Sequence, residues 1–139
     1  MKRIKQFLAG VAIMASVLTW AGLSGAQIYG TQSATGAAAI SSTLDASGPV
    51  AGLLLIGFTL NLSAAPVASE AFTITLDSND GAAYDTLLYS RDLSVGSVTD
   101  VLYQFEPPVF LEQGDKAIAA WANTNTKTYG LRWIYRRAN

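Results

Sequence analysis

Alternation of apolar and polar positions is the strongest pattern in this chain. Phe72, Ile74 and Leu76 alternate with Thr73, Thr75 and Asp77, and Val101, Tyr103 and Phe105 repeat that spacing. At the C-terminal end Leu131, Trp133 and Tyr135 point one way while Arg132, Ile134 and Arg136 point the other. A period of two is the mark of a strand with one buried face. Phe72, Ile74, Leu76, Val101, Tyr103, Leu131 and Trp133 are therefore the expected core.

Turn signals punctuate these runs. Ser78-Asn79-Asp80-Gly81 ends the first, Asp-Gly being a strong hairpin signal, and a strand over Tyr84 to Ser90 follows. Pro107-Pro108 predicts a stop to the strand begun at Val101, because proline cannot donate to a central ladder. A short run at Val109 to Leu111, a turn at 112–115, a strand over Lys116 to Ala122 and a polar loop at Asn123 to Thr126 complete the C-terminal half. Val50 to Leu62 is long, uncharged and interrupted by Gly52 and Gly57, as a buried, bent strand would be. It is more apolar than one buried face requires, so part of it is expected to meet another subunit.

Seven or eight strands spaced by roughly 8 to 15 residues predict an all-β, antiparallel β-sandwich, and their unequal connections favour a jelly roll. No internal repeat suggests a propeller or solenoid.

The N-terminal end has a different composition. Lys2, Arg3 and Lys5 precede an uncharged run from Phe7 to Leu23 and an exit at Ser24-Gly25-Ala26, the three parts of a signal peptide. Cleavage after Ala26 is the first reading, and an uncleaved membrane anchor or a buried oligomerisation helix stays open. Residues 27–48 are small and mostly uncharged, with four large apolar residues (Ile28, Tyr29, Ile40, Leu44), and predict an extended arm or linker with at most one short strand; a plain spacer and an arm that orders only against a partner are the two forms it could take. The expected organisation is a leader at 1–26, an arm at 27–48 and a sandwich at 49–139.

Composition narrows the chemistry. The chain has no His and no Cys, which removes the commonest acid-base, soft-metal and thiol chemistry. Without residues 1–26, six basic side chains face ten acidic ones, a net charge of −4 that argues against nucleic acid as a partner. Asp77 to Gly81 weakly resembles a calcium loop, but its glycine comes one place early and Leu88 stands where the closing glutamate belongs. Asp77, Asp80, Glu112 and Asp115 could still gather at one end of a sandwich. No serine has a histidine to activate it, and neither a Gly-x-Ser-x-Gly elbow nor a phosphate-binding loop is present. No enzymatic activity, cofactor or metal is expected. The candidate interface residues are Trp121, Tyr129, Arg132, Trp133 and Arg136, since aromatics beside arginine suit sugar faces and protein interfaces. The plainer and favoured reading puts Trp133 and Tyr135 in the core, with Arg132 and Arg136 on the opposite face solvated or paired with Asp and Glu of a neighbouring strand.

The pieces Thr73-Ile-Thr-Leu-Asp-Ser78, Ala82-Ala-Tyr-Asp-Thr-Leu-Leu-Tyr-Ser90, Pro108-Val-Phe-Leu-Glu-Gln-Gly-Asp115 and Ala122-Asn-Thr-Asn-Thr-Lys-Thr-Tyr-Gly-Leu131 resemble small jelly-roll proteins that decorate tailed-phage virions. The resemblance covers residues 72–136 and lies in strand and turn texture. It implies a non-enzymatic homo-oligomer, a trimer favoured, with capsid or tail proteins as further partners and the virion as its place. The leader departs from it and points instead to an exported or cell-envelope protein, touching membrane only if the segment is retained. The alternative function is an exported carbohydrate- or protein-binding module.

Overall fold

The alternating segments form strands, and the computed structural model describes them over residues 29–48 and 52–137. The leader at 1–26 lies outside the described residues. The elements are β1 (Tyr29–Gly36), β2 (Ile40–Asp45), β3 (Leu53–Leu62), β4 (Ala71–Asp77), β5 (Thr86–Asp92), β6 (Asp100–Leu111), β7 (Lys116–Trp121) and β8 (Tyr129–Arg137). A single 3₁₀ turn at Ala82–Tyr84 leads into β5.

Two four-stranded antiparallel sheets result, one ordered β1-β8-β3-β6 and the other β2-β7-β4-β5. Their inner faces share one hydrophobic core, so the fold is a β-sandwich. Four pairings nest inside one another: β1 with β8, β2 with β7, β3 with β6 and β4 with β5. Two more, β3 with β8 and β4 with β7, tie the nested pairs into sheets.

Three expectations need correction. The stretch expected to be a linker at 27–48 holds two strands, β1 and β2, each hydrogen-bonded to a C-terminal partner, so the sandwich begins at Tyr29. Pro107-Pro108 does not end a strand. β6 runs through to Leu111 because it is an edge strand, where a missing N–H leaves no ladder partner unsatisfied. Tyr103 is 36% exposed rather than inside. It stacks against Phe58 at 5.8 Å and meets Tyr89 of β5 edge-on at 4.7 Å, closing the seam between the sheets.

The core follows the alternation elsewhere. Phe72, Ile74, Leu131 and Trp133 are fully buried, with Phe58, Leu55 and Leu60 from β3 and Leu44 from β2. Phe58 and Phe72 join the sheets, their ring centroids 5.5 Å apart. Trp133 also crosses the core, donating from Nε1 to the buried Ser42 hydroxyl at 3.1 Å. Trp121, equally buried, has an Nε1 with no acceptor among the described residues.

One end of the sandwich is fastened by the loop between β7 and β8. Asn123 is buried and donates to the carbonyls of Ala37, Ala38 and Lys127, while its Oδ1 accepts from the Lys127 N–H at 2.8 Å. Its φ of 48° is a left-handed conformation that asparagine tolerates better than most residues. Asn125 Oδ1 accepts from the N–H groups of Val67 and Ala68, and Glu70 accepts from Thr124. At the other end the buried Asp115 carboxylate accepts from the N–H groups of Asn79 and Glu112, joining two turns.

Two stability predictions follow from these contacts. Trp133→Phe leaves the Ser42 hydroxyl without its donor, a loss of about 1–3 kcal/mol on top of lost packing, whereas Trp121→Phe removes a buried N–H that had no partner. Thermal melts should therefore place Trp121→Phe at least roughly 4 °C above Trp133→Phe. Equal melting temperatures would contradict the assignment. Asn123→Ala removes the partner of the Ala37, Ala38 and Lys127 carbonyls and of the Lys127 N–H and should destabilise by about 3 kcal/mol in denaturant titrations. A loss under about 1 kcal/mol would mean that water replaces the side chain.

Candidate functional site

With the inner faces of β3 and β8 fixed by the core, the register decides what the outer face of their sheet displays. A first row crosses all four strands as Tyr29, Arg136, Leu54 and Phe110. A second reads Thr31, Ile134, Gly57 and Gln104, a third Ser33, Arg132, Thr59 and Leu102, and a fourth Thr35, Gly130, Asn61 and Asp100. The face thus grades from apolar at the Tyr29 end to polar at the Asn61 end. Tyr29 is 64% exposed and Phe110 47%, while Leu54, Ile56 and Ile134 are half-buried.

An irregularity opens this face. The register of β3 against both neighbours shifts between Leu55 and Gly57, so Ile56 is an extra residue. Opposite it, β6 passes from Val109 to Gln104, leaving Phe105, Glu106, Pro107 and Pro108 unpaired with β3. Gly57 is required here, since a Cβ would lie 2.1 Å from the Tyr103 carbonyl oxygen. A groove of about 430 Å³ lies over the shift, lined by Tyr29, Leu54, Ile56, Pro108, Ile134 and Arg136 among others. A second, of about 390 Å³, adjoins it and shares Ile56, Gln104 and Pro108 while reaching Glu106. The combined strip is mostly apolar, with Arg136 standing on β8 between Tyr29 and Leu54 and Glu106 on the β6 side.

The structure divides the sequence-predicted site residues. Arg132 and Arg136 lie on this outer face, two rows apart with Ile134 between them. Trp121 and Trp133 do not: they are 2% and 0% exposed and belong to the core. Tyr129 is half-buried and packs against the core at the far end of β8, beside Gly36. Sequence reasoning missed Tyr29, hidden in the expected linker, and Glu106, Pro108 and Phe110, which followed an expected strand end. The surplus apolarity of Val50 to Leu62 did point to Leu54 and Ile56.

The outer face of the second sheet is different in kind. Its exposed and half-buried positions include Ser41, Thr43 and Asp45 on β2 and Thr73, Thr75 and Asp77 on β4. The Ser47 hydroxyl and N–H hold the Asp45 carboxyl below the usual carboxylate range, helped by the charge of Lys116. Asp92 is lowered by the Ser69 hydroxyl and then by the Ser94 hydroxyl and N–H. Both carboxylates are thus engaged in fastening loops. Among the described residues no three acidic side chains come close enough to share a metal ion, and Asp77 and Asp80 do not join Glu112 and Asp115 in a cluster.

Compared with known proteins, the chain matches no family model and no curated protein.

Two outcomes are expected. Phe110→Ser should change the stability of the isolated sandwich by no more than about 1 kcal/mol, because the side chain already faces water, whereas Leu60→Ala should cost about 2–5 kcal/mol. Equal losses in denaturant titrations would mean that the outer strip belongs to the core. Asp45 and Asp92 have folded pKa values below that of an unfolded aspartate, about 3.9, so what they contribute is present above that pH and lost as pH falls through the folded values. The melting temperature should therefore fall below about pH 4, and less steeply in Asp92→Asn. A melting temperature that rises between pH 5 and pH 2 would contradict the assignment.

Proposed function

We propose that the sandwich is a jelly roll and that it works as a structural assembly component, a virion decoration protein acting through contacts between copies of itself. The nested pairing supports the wiring: an eight-stranded hairpin folded double places strands 1, 8, 3 and 6 in one sheet and 2, 7, 4 and 5 in the other. The observation that carries the function is the apolar strip on the β1-β8-β3-β6 face, with Tyr29 and Phe110 in water beside Leu54 and Ile56. Contiguous apolar surface on a small domain marks an interaction site. The place in a virion, and capsid or tail proteins as further partners, rest on the strand and turn resemblance of residues 72–136. Threefold order rests on that resemblance alone.

A second reading, an exported module binding a glycan or protein, is favoured by the tyrosines at the β5–β6 seam, where Tyr103 is part-exposed against Tyr89. Native mass spectrometry of the full chain at micromolar concentration separates the two. Assemblies of defined copy number are expected. A single-chain mass together with glycan-array binding would replace the first reading by the second.

A further inference from the structure

We infer that the apolar strip pairs with the same strip of a second copy across a twofold axis running along β3. The inference rests on the assembly reading above and names its surface. The strip is the one part of the outer faces where large apolar side chains recur in adjacent rows, at Tyr29, Leu54, Ile56, Ile134 and Phe110. The strands on either side of β3 carry opposite charges. Arg136 stands on β8 and Glu106 on β6, the two neighbours of β3 on either side.

A twofold axis parallel to β3, lying between two facing sheets, exchanges left and right while keeping the position along the strand. It brings β8 of one copy over β6 of the other, so each Arg136 comes beside the partner's Glu106, twice per pair. Leu54 and Ile56, on the axis, meet their own counterparts. Such a contact is isologous and closes on itself, which departs from the threefold order that the resemblance implies. The outer face of the β2-β7-β4-β5 sheet is the weaker candidate, since apart from Ile118 and Leu87 in one row it presents mainly serine, threonine and aspartate.

Size sets the strength. With the axis on β3, strands β8, β3 and β6 of the two copies overlap while β1 lies outside, and three strands about 4.8 Å apart with about eight residues each give roughly 400 Å² per copy, the size of a weak, transient contact. The pair should accordingly form in the micromolar range and grow with concentration.

Sedimentation velocity of the full chain from about 1 to about 200 micromolar is the test, on wild type, Arg136→Glu, Glu106→Arg and the double variant. Each single change places like charges together in the pair and should raise the dissociation constant at least tenfold. The double variant restores opposite charges and should return it to within about threefold of wild type. That recovery also shows that the single variants fold. Association unaltered by all three variants would overturn this surface and leave self-assembly standing. A single-chain mass for wild type at every concentration would overturn both.

Discussion

The structure depends on one row of side chains. Phe58 of β3 and Trp133 of β8 lie opposite each other in register, both fully buried, at the centre of one sheet. Each reaches the other sheet, Phe58 through Phe72 and Trp133 through the Ser42 hydroxyl. Aromatic side chains of this size bury about 150–250 Å² each, and with Phe72 and Trp121 they are among the largest in the core. Neither sheet can keep its inner face from water without the other, and this row bridges the two at the middle of the core.

The same row determines the outer surface. Side chains alternate along a strand, so a one-residue slip of β3 or β8 would exchange core and surface. Holding Trp133 inward obliges Arg132, Ile134 and Arg136 outward, while on β3 the shift at Ile56 reverses the parity set by Phe58, so that Leu53 and Leu55 face the core and Leu54 faces out. The shift at Ile56 then adds one more apolar residue to that face, and the proline pair of β6 keeps the neighbouring edge unzippered. The strip is a consequence of how the core is registered. Tyr29 and Phe110 leave much of it in water, and contiguous apolar surface of this kind is what the proposed pairing would cover.

How much of this was legible in the sequence differs by element. β4 and β8 show plain alternation of large apolar residues, and their positions and inner faces follow from it. β1 and β2 lack that mark: Tyr29 to Gly36 contains one large apolar side chain, and its place in the sheet comes from backbone pairing with β8, a contact between residues about a hundred positions apart. Pro107-Pro108 misled because edge and central strands look alike until the sheet order is known. The orientation of Arg132 and Arg136 was readable from parity, and parity also sent Trp133 into the core. The rows of the candidate surface could not be read, since they depend on the pairing of four distant segments.

The central claim is that the β1-β8-β3-β6 face is an interface and the opposite outer face is not. Because the chain contains no cysteine, a single introduced thiol reports on it directly. Ile56→Cys lies on the axis of the inferred pair, and Thr75→Cys lies on the second sheet. Under mild oxidation, disulfide-linked dimers are expected to accumulate rapidly for Ile56→Cys and to stay at the background of random collision for Thr75→Cys. Equal rates for the two, or faster linkage at Thr75→Cys, would contradict the account.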